Sequence, residues 1–181
     1  LIVSISSPGL LDLFMSTSLA KARRLLLSFE SLPGERRDSI QLRSILKNLA
    51  QWIGLLFFSR DRPILRRDLC VKSLLTAQVS NEYYTFILPF TCKLLEKTTL
   101  SSVLLPSNPW ISSLLRLLVE IYVYVDLKLN SKFEIELLFK SMGVDMKTVP
   151  PSNVLRRRLS RPPSVPPPLA SSTGGGNMAS Y

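Results

Sequence analysis

The sequence contains no histidine. That removes the commonest general base at neutral pH, the Ser-His and Cys-His nucleophile pairings, and the most frequent metal ligand. Cysteine is nearly as scarce: Cys70 and Cys92 are the only two, 22 positions apart and without a CxxC spacing. Two thiols cannot complete a zinc site and make a poor disulfide framework, so both are expected to be reduced and mostly buried. There is no GxGxxG, P-loop, GxSxG or HExxH pattern. Glu134 and Glu136 stand two apart on a predicted helix and point to different faces, so they are not a carboxylate pair. No catalytic residue, cofactor site or metal site is expected.

Long apolar runs are also missing. Nothing approaches the ~18 residues needed to span a bilayer. The longest candidates are WIGLLFF (52–58) and YYTFILPF (83–90), the second interrupted by Pro89. The opening LIVSISSPGLLDLFM lacks the basic start of a signal peptide. A soluble, intracellular protein is the expectation. The chain begins with Leu rather than Met, as a fragment or truncated copy would.

What is present suffices for a core. The 181 residues are 46% hydrophobic and 20% charged, which suits one domain with a tail. The net charge of +10 is uneven, because residues 147–181 carry five arginines and lysines and no acid. The rest is only mildly basic, and a nucleic-acid footprint would need its charges gathered on one face.

Spacing then reads as helix throughout. Leu42, Ile45, Leu46, Leu49, Trp52, Ile53 and Leu56 fall at offsets 0, 3, 4, 7, 10, 11 and 14, with Arg43, Lys47, Asn48 and Gln51 on the other face. Ile111, Leu114, Leu115, Leu118, Ile121, Tyr122 and Val125 repeat those offsets. Strand alternation fails at Leu114-Leu115 and Leu117-Leu118, and the β propensity of IYVYV is the weaker signal. Asn108 is placed to cap this helix, and Pro109 fits its first position, where no N–H is needed. Trp110 then sits in the first turn, either as a packing residue or as an interface anchor. For Trp52, on the apolar stripe, core packing is the expected role.

A further helix is predicted over 131–142. Ser131 and Glu134 match a capping box, Ile135, Leu138, Phe139 and Met142 form its buried stripe, and Gly143 closes it. Helices are also predicted over 10–30 (Leu11, Phe14, Met15, Leu19, Ala22, Leu25, Leu26 and Phe29), 69–79 and 81–97 (Tyr83, Ile87, Phe90 and Leu94). Pro89 should kink the last of these or begin a new turn there. Asp61 and Asp68 are expected to pair with Arg60, Arg62, Arg66 or Arg67. The total is about six helices in antiparallel pairs: an all-α helix-hairpin solenoid over 1–146. Residues 147–181, rich in Pro, Arg, Ser and Gly, are expected to be a disordered tail. Within it, Arg157-Arg158-Leu159-Ser160 has the look of a basophilic kinase site and the prolines permit SH3 or WW recognition, though a plain basic linker is the simpler reading.

Taken together, LKNLAQWIG (46–54), RPIL (62–65), KSLL (72–75), LPFTCKLLE (88–96), SNPW (107–110) and DLKLNSKFEIELL (126–138) form an ordered series. It resembles the large Not scaffold subunit of the CCR-NOT deadenylase complex, over Leu19 to Leu155. The similar region is the C-terminal half of that subunit's middle domain, a HEAT-type repeat akin to the middle domain of the four-G translation-initiation scaffold. Ala50 stands where the family usually has Gly, Ser131 where it has Leu, and VLRRR (154–158) replaces a charged LLKDR-like segment.

The resemblance implies a non-catalytic adaptor that carries half of the domain. It would dock a Caf-type DEDD deadenylase and a DEAD-box RNA helicase among the other subunits of the complex. It would thereby support poly(A) tail shortening, mRNA decay and translational repression from a cytoplasmic, P-body-associated location, with the nucleus as a second compartment. Candidate partner contacts are Asn108, Trp110, Lys128, Asn130 and Lys132, at the ends of two adjacent helices, with capping or solvation as the competing role of each. The alternative function is a basic helical-repeat RNA-binding protein.

Overall fold

The structure is a computed structural model, and it describes residues 8–30 and 40–159. Among the described residues seven α-helices run in order: α1 (Pro8–Glu30), α2 (Ile40–Phe58), α3 (Val71–Ala77), α4 (Asn81–Glu96), α5 (Pro109–Tyr124), α6 (Leu129–Ser141) and α7 (Val154–Leu159). Short 3₁₀ turns, Lys97–Leu100 and Met146–Thr148, follow α4 and α6. Among the described residues there is no strand. Successive helices touch, α1 with α2, α3 with α4 and α5 with α6, and the most extensive packing is that of α4 against α2 and α6. This is the all-α helix-hairpin repeat that the spacing predicts.

The centre is α4. Every residue from Tyr84 to Cys92 is buried, because α2 covers one side and α6 another. The helix runs through Pro89 without restarting. Ser80 caps its start by accepting a hydrogen bond from the Tyr83 amide. Tyr83 and Tyr84 donate through their phenols to the carbonyls of Leu74 and Leu75. Those carbonyls close α3, which is too short to satisfy them itself.

The contact of α2 with α4 is unusually close. A Cβ on Gly54 would lie 2.8 Å from the Lys97 Cβ and 2.9 Å from the Leu94 carbonyl oxygen. The buried residues of α2 are accordingly Leu46, Ala50, Ile53, Gly54, Leu56, Phe57 and Phe58. This corrects the predicted stripe: Ile45 and Trp52 lie at its edge, Trp52 is 49% exposed, and its indole donates to Ser18 Oγ. Counting only large apolar residues turned the stripe toward them, whereas the small residues mark where α4 approaches. On α1 the buried residues are Met15, Leu19, Ala22 and Leu26, and Phe14 is exposed.

The helix starts are divided. Asn108 Oδ1 accepts from the Trp110 amide at 2.9 Å and Pro109 takes the first position of α5, as predicted. The capping box at Ser131 does not form. α6 begins two residues earlier, at Leu129, after buried Leu127. Ser131 is therefore inside the helix and buried, and Glu134 pairs with Lys47 on α2 instead. At the other end Gly143 adopts φ +65 and Val144 donates its amide to Phe139, the left-handed closure expected there.

Asp61 also departs from expectation. Its backbone is left-handed at φ 54, and its carboxylate accepts from Ser101 Oγ, from the Ser102 amide and hydroxyl, and from the Val103 amide. Hydrogen bonds from Ser101 and then Ser102 hold the carboxyl below its usual range. Asp61 thus fixes the turn after α2 to the loop before α5, rather than pairing with arginine. Asp68 does lie near Arg67, and Arg62 pairs with Asp12 on α1.

The basic tail expected from Lys147 onward is ordered in the structure as far as 159. Glu120 on α5 is fully buried and accepts from Ser152 Oγ and from the amides of Val154, Leu155 and Arg156. A carboxylate from another helix thus caps α7, satisfying amides that no local side chain reaches. Leu155 is buried beneath it. Ser160 and the proline-rich stretch lie outside the described residues.

Two substitutions, with Gly9→Ala as a control, probe these constraints. Gly54→Val should lower unfolding stability by about 1–3 kcal/mol through overpacking. Gly9→Ala, whose Cβ would meet nothing within 4 Å, should leave stability unchanged or raised in urea titrations. Glu120→Ala should cost about 1–3 kcal/mol by orphaning buried donors. Hydrogen exchange should show the loss of protection confined first to 152–156.

Candidate partner-binding surface

α6 has apolar residues on two sides. Ile135, Leu138 and Phe139 face the core, and a second row, Leu129, Phe133 and Leu137, faces outward at spacings of four. Four-residue spacing keeps these side chains on one face of a helix. Ile40, at the start of α2, is the most exposed large apolar residue here at 78%. Ile40, Phe133 and Leu137 line a groove of about 520 Å³ between α2, α4 and α6. Lys47 and Glu134, ion-paired across the helices, also line it, together with Asn130. An outward apolar row beside paired charges has the character of a binding surface.

The five predicted contact residues do not form one patch. Lys128 immediately precedes α6 and Asn130 and Lys132 lie in its first turn, beside the groove, and Lys132 stands 6.0 Å over the Tyr122 ring near the end of α5. Asn108 and Trp110 lie at the opposite end of α5, a helix of 16 residues and therefore ~24 Å long. There Asn108 is committed to its cap, and Trp110, half-buried, tilts against Phe58 with ring centroids 6.2 Å apart. Trp110 thus packs between helices. The exposed apolar residues at this surface that the sequence pattern did not single out are Leu129, Phe133, Leu137 and Ile40. The available signal was that α6 carries more apolar rows than its single buried face requires.

The remaining chemistry is modest. Glu136 accepts from the Tyr122 phenol at 2.7 Å and raises its pKa, while Glu134 binds Lys47, so the two carboxylates serve different neighbours. Burial, then the charge of Glu120, pushes the Tyr84 phenol up to about 12. Among the described residues no cluster of Cys, Asp and Glu could hold a metal ion. Nor is any described helix long and apolar enough to cross a membrane.

Both thiols are free, but only Cys92 is buried, and burial drives its pKa far up. Cys70, expected to be buried, is only half so, because it sits at the exposed start of α3. Burial raises its thiol, but hydrogen bonds from Ser73 and the charge of Arg66 outweigh that and hold it below the usual range.

Fold and surface define a helical-repeat binding module. Residues 1–164 match the model of the CCR4-NOT transcription complex subunit 1 CAF1-binding domain, and the chain belongs to that family. The family is one of scaffold subunits, and the chain is not an enzyme. Among its relatives, General negative regulator of transcription subunit 1 of Schizosaccharomyces pombe is 41% identical over 114 residues, 63% of this chain and 5% of that protein. CCR4-NOT transcription complex subunit let-711 of Caenorhabditis elegans is 38% identical over 120 residues, 63% of this chain and 4% of that protein. The Saccharomyces cerevisiae subunit 1 is 32% identical over 110 residues, 61% of this chain and 5% of that protein. The chain thus matches about one-twentieth of the length of these relatives.

The thiols give a direct check on the packing. In native protein a thiol reagent such as dithionitrobenzoate should modify Cys70 and spare Cys92. The second equivalent should appear only in denaturant. Equal rates for both without denaturant would contradict the buried position of Cys92.

Proposed function

We propose that this chain is a docking module for a Caf-type deadenylase, seated on the outward row of α6. What supports the reading is membership of a CAF1-binding domain family together with an apolar groove that no other described element covers. Exposed Leu, Phe and Ile on adjoining helices offer the apolar centre of an interface. Lys128, Asn130 and Lys132 supply its polar rim. Asn108 and Trp110, at the far end of α5, serve the cap and the helix packing there and lie outside this surface.

In this reading the chain holds the nuclease within a CCR4-NOT assembly and so supports poly(A) tail shortening, mRNA decay and translational repression. A DEAD-box helicase is a further proposed partner, and the cytoplasm, including P-bodies, the proposed location, with the nucleus as a second one. The chain itself supplies geometry and no turnover.

The test is binding of a purified Caf-type nuclease to the full 181-residue chain by biolayer interferometry. Phe133→Asp and Leu137→Asp should each weaken binding at least tenfold, about 1.4 kcal/mol, with helical circular dichroism unchanged. Both side chains are exposed, so neither change should unfold the domain. Unchanged affinity in both variants would move the nuclease off this groove. A folded chain that does not bind the nuclease would sink the docking role itself.

A further inference from the structure

A different face carries a charge pattern that deadenylase docking does not use. Two hollows, of about 370 and 300 Å³, lie between α3, α5 and α7 and share Lys72 and Ser113 as a common wall. Arg66, Lys72 and Arg158 line the first, and Lys72, Arg116 and Arg157 the second. All five cations are exposed, and no carboxylate lines either hollow. The contrast with the groove of about 790 Å³ between α1 and the 62–68 loop is instructive, because its arginines are interleaved with Asp12 and Asp68.

Five positive charges along one trough, none of them ion-paired to a carboxylate among the described residues, repel each other, and the fold holds them together nonetheless. Two are positioned by the backbone: Arg116 donates through Nε to the Pro150 carbonyl, and Arg158 donates to the Thr76 carbonyl that ends α3. The buried Glu120 carboxylate caps α7 and so sets Arg157 and Arg158 against α3 and α5. It lies below the surface and is spent on backbone amides, so it does not neutralise the trough. Ser113, Ser152 and Asn153 add neutral donors between the cations, and Trp110 lines the inner end.

We propose that this trough binds the phosphodiester backbone of single-stranded RNA. Five cations, four on three helices and Arg66 on the loop before α3, exceed what a single phosphate group can engage, and a run of successive phosphates fits their spread. Such sites track the backbone through Lys and Arg and accept any sequence. The row of α6 that the nuclease would occupy lies on different helices from this trough, so one chain can hold the nuclease and its substrate strand together. Residues 160–181 carry no acidic side chain and so offer no charge complementary to the trough.

The experiment is fluorescence anisotropy of the full chain with a 5′-fluorescein-labelled single-stranded 15-mer RNA, from 50 to 300 mM salt. Binding should weaken linearly in log–log form with a slope of roughly −3, as for four to five neutralised phosphates. The pair Lys72→Ala and Arg157→Ala should reduce affinity at least tenfold at low salt and flatten the slope by about 1.4, two phosphates' worth. The pair Lys21→Ala and Arg24→Ala on α1 removes the same charge elsewhere and should change neither quantity. Nuclease binding should survive both pairs, which separates this site from the docking groove. Equal losses from the two pairs would reduce the effect to net charge and overturn the proposal. So would absence of RNA binding, or preference for a phosphoserine peptide over the RNA.

Discussion

The close approach of α2 and α4 at Gly54 organises this domain. A helix meets a neighbour at backbone distance only where one side chain is missing, and Gly54 provides that place against Leu94 and Lys97. Ala50, one turn earlier, keeps the interface shallow. With α2 seated this deeply, α4 is enclosed on the other side by α6 and is buried along most of its length. A helix buried all round has no polar face to offer, so binding must be assigned to the flanking helices. Both proposed surfaces lie there, on the outward row of α6 and on the basic edges of α3, α5 and α7.

A second constraint, at the C-terminal end, is electrostatic. Burying a carboxylate as completely as Glu120 is costly unless its oxygens are saturated with donors. Three amides at the start of α7 and one serine hydroxyl fill that need. The exchange is reciprocal, because a six-residue helix has no independent stability and would not persist without the cap. What read in the sequence as the head of a solvated tail is therefore attached to the core. Its arginines become part of a surface with a fixed shape.

These two features separate the proposed roles. The groove proposed for the nuclease presents exposed apolar side chains and depends on the seating of α6 over α4. The basic trough depends on Glu120 and on the closure of α3 by Tyr83, Tyr84 and Arg158. Membership of the CAF1-binding domain family accounts for the first kind of surface and makes no statement about the second. A scaffold lacking any catalytic constellation can still set geometry, by holding an enzyme and a strand on different faces of one rigid stack of helices.

The sequence by itself determined the class of fold, the six main helices and the cap at Asn108, because these depend on periodicity and on residues within one turn of each other. It also carried the family, through ordered blocks that local physics alone would not require. It did not determine which part of an apolar stripe is buried. Trp52 matched the pattern of a core residue and is half-exposed, while Gly54, with no side chain, marks the true contact. Ser131 matched a capping box, yet Glu134 found a stronger partner in Lys47, 87 positions away. The outward row of α6, the role of Glu120 and the gathering of five cations were likewise decided by tertiary structure. Each joins residues that are distant in the chain, and only helix packing brings their side chains within reach of one another.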